Sequence, residues 1–517
     1  MNTPTSIGLR VGGGVRPASE GKWAERLNPI SGEVVTRAAA ATLADADAAA
    51  EAAAGAFGAW SEMGPGARRA VLNKAAELLR AKAERFAEIV TAETGATLGW
   101  GQFNVMLAAN MLREAAALTT HVTGEVIPSD KAGVLAMAIR RPAGVVLGIA
   151  PWNAPVILGV RALATPLACG NTVILKASEM CPATHSLIVE TLEEAGGPAG
   201  FVNLVTNDAA SAPRIVERLI EHRAVRRVNF TGSTKVGRRI GELCGLHLKP
   251  ALLELGGKAP LVVLDDANVD DAVNAAVFGA YANQGQICMS TERIIVDRKI
   301  ADVFVEKLAA RARALSAGDP RSGQAILGSL VSAAAAERVR NLTDDAAAHG
   351  AAIVMAAEIN GAISTAAVID HVTPEMKVYA EESFGPVAAV IRVDGDDEAV
   401  RMANDTDYGL SAAVFSQNVN RALDVAMRVN SGMCHINGPT VADEAQMPFG
   451  GIKASGYGRF GGRAAVAEFT DLRWITIATK PQHYPFLNAG ISSSRQRRAL
   501  LEKFNALGAV GRSRTAV

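Results

Sequence analysis

The sequence predicts an α/β protein built from two doubly wound domains, and three observations carry that prediction. Short, wholly apolar runs such as Val145-Val146-Leu147-Gly148-Ile149-Ala150 and Thr172-Val173-Ile174-Leu175 read as parallel strands buried on both faces. Alanine- and leucine-rich stretches with charges at helical spacing separate such runs. At 517 residues the chain is also too long for one ordinary hydrophobic core, so two large domains with smaller appendages are expected.

Along the chain, helical periodicity runs from Leu43 to Trp60, again from Gly66 to Thr94 as one partner helix, and from Gly101 to His121. The apolar strands then begin at Val145. Arg227-Val228-Asn229-Phe230 and Leu261-Val262-Val263-Leu264 extend the alternation of the first domain. A second α/β region has strands at Arg293-Ile294-Ile295-Val296, Val387 to Val393 and Met433 to Asn437, with helices at Ala301 to Ala314 and Arg421 to Val429. The boundary falls near Gly256, giving a first domain of 1–121 and 143–254 and a second of 255–467. Segments 122–142 and 468–486 have β-like patterning and belong to neither domain. Exposed β edges pair readily, so they are expected to bridge subunits of a homodimer or homotetramer. The Ser-, Arg- and Ala-rich tail, 487–517, reads as a solvated helix or disorder.

Composition excludes several functions. Lys+Arg 52 against Asp+Glu 52 leaves no net charge, so neither nucleic acid nor an anionic membrane is the expected partner. The five cysteines, Cys169, Cys181, Cys244, Cys288 and Cys434, form no Cys-x-x-Cys pair, which indicates neither a zinc site nor a disulfide scaffold. No metal is expected. An odd number of dispersed thiols suits a reducing compartment, hence a cytoplasmic protein. Met1 to Trp23 holds no continuous apolar core of a secretory signal, and no run of about 20 apolar residues spans a bilayer.

Two settings carry chemistry. Cys288 lies in Asn283-Gln284-Gly285-Gln286-Ile287-Cys288, and Glu254 in Leu253-Glu254-Leu255-Gly256-Gly257-Lys258. Together they offer a nucleophile and a base, and their glycines allow close backbone approach to a substrate. A free thiol is only a few per cent ionised at neutral pH, so the fold has to assist it. The usual Gly-x-Gly-x-x-Gly fingerprint is missing. In its place Phe230-Thr231-Gly232-Ser233-Thr234-Lys235-Val236-Gly237 ends a strand and opens a helix, which suits either a diphosphate or a plain Ser cap. Lys176-Ala177-Ser178-Glu179 follows a buried strand, where ribose hydroxyls bind in doubly wound sheets, although a surface ion pair has the same appearance.

These residues, together with Pro151-Trp152-Asn153-Ala154-Pro155, Glu382-Ser383-Phe384-Gly385-Pro386 and Pro448-Phe449-Gly450-Gly451, resemble the aldehyde dehydrogenase superfamily in order and spacing over roughly residues 25 to 486. The resemblance implies the aldehyde dehydrogenase fold with a β-rich oligomerisation arm, and NAD(P)-dependent oxidation of an aldehyde to the acid. Cys288 is then the nucleophile, Glu254 the base that activates water, and Asn153 with the Cys288 backbone N–H the oxyanion donors. Trp152, Lys176, Glu179, Gly232, Ser233, Glu382 and Phe384 match cofactor contacts, the first domain becoming the NAD-binding one. A Glu179 hydrogen-bonded to the ribose would repel a 2′-phosphate by about 4 kcal/mol at about 4 Å and an effective dielectric of about 20, which favours NAD and leaves NADP open. Many relatives carry an acid after the Gly-Arg of the C-terminal motif; here Phe460 follows Gly458-Arg459.

A closer resemblance is to bacterial dehydrogenases of aromatic aldehydes such as salicylaldehyde, vanillin or benzaldehyde. Asn153 to Arg161, Leu175 to His185, Cys434 to Thr440 and Asp443 to Phe449 carry it, with Ala442 where that branch often has His. Trp100 and Arg161 match its substrate pocket, an indole face and a guanidinium edge suiting a planar ring. Helix packing and a surface charge are the plainer readings of those two residues. The rivals are an aliphatic aldehyde or semialdehyde substrate, acyl transfer to coenzyme A, and a catalytically silent NAD-binding protein.

Overall fold

The computed structural model describes residues 3–482, 484, 498–499 and 501–503. The 487–517 tail therefore lies mostly outside the described residues; its five described positions are helical and exposed. Contacts divide the chain into two units. The larger holds the described residues up to Thr123 and Arg141–Asp471; the smaller holds Gly124–Arg140 and the described residues from Leu472.

Two large sheets organise the larger unit. In the first, parallel strands Ala251–Glu254, Val225–Thr231, Val145–Ile149, Thr172–Lys176 and Val202–Val205 lie side by side in that spatial order. This is a doubly wound order, with its switch point between Val145–Ile149 and Val225–Thr231. In the second, Ala259–Val263 is flanked by Thr291–Asp297 and Ser411–Phe415, and Val387–Val393 and Met433–Ile436 lie further out on either side. The inner strands of both sheets are almost wholly buried, as sheets covered on both faces require, while the edge strand Met433–Ile436 is half-buried.

Two expectations are corrected. The run Leu261-Val262-Val263-Leu264 belongs to the second sheet, because Gly256-Gly257 carries the chain out of the first sheet after Glu254. The fifth strand of the first sheet is instead Ala251–Glu254, too short to stand out as an apolar run. The stretch from Gly66 to Thr94 is two helices, Pro65–Ala81 and Ala83–Thr94. Lys82, at the break, turns its ammonium to Glu194 at 2.7 Å, while the apolar periodicity runs straight through and hides the joint.

Helix Pro155–Ala168 has every residue buried, as expected of a helix that is apolar nearly all round, and it carries Arg161 into the core. Asn171, fully buried, ties its far end in place. Its side chain accepts from the N–H groups of Ala143 and Gly144 at 2.7 and 3.0 Å and donates to the carbonyls of Pro166 and Phe469 at 3.0 and 2.9 Å.

The smaller unit is built around a three-stranded sheet of Glu125–Ile127, Val134–Pro142 and Thr470–Ala478, with Val134–Pro142 central. Both segments read as β from sequence are strands. Val126, Leu472 and Trp474 are all more than half exposed on it. Among the described residues, no helix is long and apolar enough to cross a membrane.

Replacing Asn171 with Ala strands several buried polar groups at once, each costing about 1–3 kcal/mol. The expected result is a loss of at least about 3 kcal/mol of unfolding free energy, measured by urea titration against wild type.

Candidate active site

Strand register places the sequence-predicted residues along one edge. Thr231 pairs with Glu254, Phe230 with Ile149, and Ile149 with Lys176, so the carboxyl ends of four neighbouring strands lie level. Glu254 ends one strand, Gly232-Ser233 follows the next, Trp152-Asn153 the third and Lys176-Glu179 the fourth. In the second sheet, Cys288 and the turn Glu382–Pro386 precede their strands, at the amino-terminal edge. Gly256-Gly257 joins the two edges.

The turn before Cys288 is strained and heavily anchored. Asn283 and Gln284 both hold left-handed backbone, φ 47° and 57°, which non-glycine residues seldom adopt without tertiary support. The support is visible. The Gln284 side chain donates to the Ser329 carbonyl at 2.9 Å and accepts from the Gly328 N–H at 3.0 Å, while Gln286 accepts from the Val331 N–H at 3.0 Å. Gly285 is also left-handed, and a Cβ there would lie 2.1 Å from the Gly385 carbonyl oxygen. Cys288 is half-buried. Burial, reinforced by the Glu254 carboxylate, pushes its thiol well above the ordinary value.

Glu254 is fully buried, and neither carboxylate oxygen has a hydrogen-bond partner. Burial raises it to about 7, despite opposing help from the Arg161 charge and from the Cys288 and Thr231 side chains. A carboxyl poised there exchanges protons near neutrality, which an ordinary glutamate does not. The thiol and the carboxyl thus each alter the other's proton affinity.

Asn153 is buried and held from both ends. Its side-chain amide donates to the Gln286 carbonyl at 2.8 Å, and its backbone carbonyl accepts from Trp100 Nε1 and Asn283 Nδ2, each at 2.9 Å. Trp100 is half-buried in the first turn of helix Leu98–Leu118, stacked on Phe103, so it reaches Asn153 as well as packing. Arg161 is not a surface charge. It is buried, ion-paired with Asp443, and its guanidinium lies 4.2 Å from the Phe449 ring centroid and 5.8 Å from that of Phe460. Phe460 is itself buried, and an arene at that position relays no proton.

On the cofactor side, Lys176 is buried and paired with Glu179, which also accepts from Asn207 Nδ2 at 2.8 Å. Burial raises the Glu179 carboxyl, but the Lys176 charge and these hydrogen bonds outweigh it and hold it below the usual range. Ser233 caps helix Thr234–Leu246 by accepting from the Val236 N–H. Trp152 meets Phe384 edge-on with centroids 5.7 Å apart. Burial, with the Glu292 charge next in size, raises Glu382 to about 7, and its carboxylate accepts from the Gly257 N–H at 3.1 Å. A helix start, a buried lysine beside a carboxylate, and an aromatic pair near a second carboxylate form a donor set that suits a dinucleotide's phosphates, ribose hydroxyls and ring. Among the described residues no cluster of three or more His, Cys, Asp or Glu side chains converges to hold a metal.

Several residues of this site were not singled out from sequence. Asn283, Gln284 and Gln286 precede Cys288 in its motif, yet Gln284 and Gln286 are anchored at 328–331, more than forty positions away, and Asn283 at the Asn153 carbonyl, further still. Asp443 stood in a quoted stretch, but nothing local marks it as the partner of Arg161.

The sequence profile of the aldehyde dehydrogenase family matches residues 15–475. The chain belongs to the aldehyde dehydrogenase family. It is therefore an oxidoreductase that uses NAD(P) and acts on an aldehyde. A vanillin dehydrogenase of Pseudomonas fluorescens is 60% identical over 479 residues, spanning 93% of this chain and 99% of the relative. A salicylaldehyde dehydrogenase of Pseudomonas sp. (strain C18) is 50% identical over 470 residues, spanning 91% and 97%. The crystal structure of a salicylaldehyde dehydrogenase from Pseudomonas putida G7 complexed with salicylaldehyde aligns with a TM-score of 0.92 at 48% identity, covering 93% of this chain and all of that one. The aldehyde dehydrogenase fold, with its parallel-strand sheets, is thereby established.

Because folding raises the Glu254 pKa from the usual 4.5 to about 7, the native state holds the proton more tightly than the unfolded chain. Ionising Glu254 then costs the native state stability as pH rises from about 4.5 through about 7, roughly 3 kcal/mol in full. Glu254→Gln should raise the thermal midpoint at pH 8, and the gain should shrink steadily toward pH 5 at equal scan rate.

Proposed function

We propose that this chain oxidises an aromatic aldehyde of the vanillin, salicylaldehyde or benzaldehyde type to its acid, with NAD preferred over NADP. The observation that carries the reading is the meeting of Cys288, Glu254 and Asn153 where the two sheet edges join, in a chain whose close relatives are named for such substrates.

Glu254, ionised in part at neutral pH, takes the Cys288 proton, and the thiolate adds to the aldehyde carbon. The resulting oxyanion accepts the second Asn153 amide hydrogen and the Cys288 backbone N–H, Asn153 being fixed beforehand by its Gln286, Trp100 and Asn283 contacts. Bound nicotinamide dinucleotide supplies the acceptor for the hydride that leaves this thiohemiacetal. Glu254, once it has passed that first proton to solvent, takes a proton from water; the hydroxide adds to the thioester carbonyl and expels the Cys288 sulfur. Lys176, Glu179, Gly232 and Ser233 hold the adenosine and diphosphate portion, while Trp152, Glu382 and Phe384 position the nicotinamide end. The half-buried Glu179 carboxylate disfavours a 2′-phosphate, which supports NAD.

Trp100, Phe449 and Phe460 supply flat apolar surface for an arene. Arg161 is already committed to Asp443, so it is a poor receptor for the free carboxylate of a semialdehyde. The division into a cofactor half, 1–121 and 143–254, and a catalytic half, 255–467, follows the two sheets. The exposed apolar residues of the three-stranded sheet support a homodimer or homotetramer, and the dispersed free thiols support a cytoplasmic setting.

Cys288→Ala should abolish NADH formation, and Glu254→Gln should slow the first NADH-forming turnover and stall the thioester hydrolysis that follows; full steady turnover in the first variant overturns the mechanism. In wild type the thioester hydrolysis rate should climb as pH passes about 7, where Glu254 ionises, and level off above. A panel of vanillin, salicylaldehyde, benzaldehyde and succinic semialdehyde, run with NAD and then NADP, tests specificity: a tenfold higher kcat/KM for the semialdehyde would refute the aromatic assignment.

A further inference from the structure

Lys258, the last residue of the Glu254 motif, has no part in the chemistry above, yet its side chain is completely buried. Its ammonium lies 2.7 Å from Glu292 Oε2, a carboxylate equally buried, and donates to Ser383 Oγ at 3.2 Å. Glu292 in turn accepts from the Ser383 N–H at 2.9 and 3.0 Å and from the Phe384 N–H at 3.2 Å. Phe384 holds left-handed backbone at φ 47°, a conformation an aromatic residue keeps only under tertiary constraint. On the other side of the turn, the Glu382 carboxylate accepts from the Gly257 N–H, and a Cβ on Gly256 would come within 2.7 Å of it. A buried ion pair seldom stabilises a fold more than apolar residues of the same volume, so its value here lies in the geometry it imposes.

We propose that the Lys258–Glu292 pair is the positioning device for the Glu382–Phe384 turn, and that it governs hydride transfer while leaving the thiol chemistry of Cys288 alone. The proposal rests on the reading of Glu382 and Phe384 as the groups that position the nicotinamide end of the cofactor. The carboxylate locks two successive peptide N–H groups and the lysine locks the carboxylate. Losing the pair lets the strained turn relax, moving the carboxylate and ring that it carries. A displacement of about 1 Å at a reacting centre is enough to cost up to about a hundredfold in rate.

The test uses the purified full-length enzyme carrying Lys258→Met together with Glu292→Gln, which removes both charges at similar volume. Three quantities are compared with wild type: kcat for aldehyde oxidation, the primary deuterium isotope effect with aldehyde labelled at the carbonyl carbon, and hydrolysis of 4-nitrophenyl acetate without dinucleotide. Oxidation should fall by about tenfold or more, the isotope effect should increase, and ester hydrolysis should stay within about twofold. If oxidation and ester hydrolysis fall together with an unchanged isotope effect, the pair is merely structural and the proposal is overturned. Should the double variant fail to fold, Glu292→Asp, which keeps the charge but shortens its reach, should give the same split at smaller size; a proportional loss of both activities there refutes the proposal as well. Glu382→Gln run in parallel separates the two readings. Undiminished oxidation in that variant removes the premise about the turn, whereas diminished oxidation beside a normal double variant defeats only the role of the pair.

Discussion

The steric closeness of the chain at Gly256-Gly257 is the constraint on which the rest of the site depends. A Cβ on Gly257 would lie 2.3 Å from the Cys288 carbonyl oxygen, and one on Gly256 would lie 2.7 Å from Glu382 Oε2. Four residues thus arrive together because two have no side chain. The strand that ends in Glu254 stops against the first sheet's carboxyl edge, the chain crosses at the glycines, and Lys258 starts the next strand's approach. The proposed base, the proposed nucleophile and the Glu382 turn owe their spacing to that crossing.

Around this crossing the electrostatics are arranged by burial rather than by net charge. Glu254 sits with both oxygens unpartnered, a costly state for an ionised carboxylate, and this is what brings its proton affinity near neutrality. The nearest compensating charge, Arg161, is balanced by Asp443, so the pocket holds a nearly neutral pair against two phenyl rings instead of a free cation. Such an environment lowers the barrier to moving a proton between thiol, carboxyl and water without attracting a permanent anion. Phe460 fits the same pocket: with an arene there, the proposed proton transfer is left to Glu254 and solvent.

Stability and function pull in opposite directions here. The left-handed Asn283, Gln284 and Phe384 each store strain, and the Glu254 carboxylate is unsatisfied. The surrounding structure compensates through side-chain amides and carboxylates that hold backbone groups, among them Gln284, Gln286 and Glu292. Asn283, Gln284 and Phe384 lie within five positions of the proposed catalytic and cofactor groups, while Leu248, His371, Asn437 and Lys453 hold left-handed backbone elsewhere.

By itself the sequence determined the fold class and most of the strands, and it singled out the proposed reactive groups. Those features are written locally: apolar runs mark buried strands, and a cysteine or glutamate beside glycines marks a close backbone approach. The handover of Leu261-Val262-Val263 to the second sheet, the break at Lys82, the Arg161–Asp443 pair and the Lys258–Glu292 clamp were decided only by the tertiary structure. Each depends on which distant segment lies alongside, and burial, pairing and proton affinity are properties of a neighbourhood that a linear sequence does not contain.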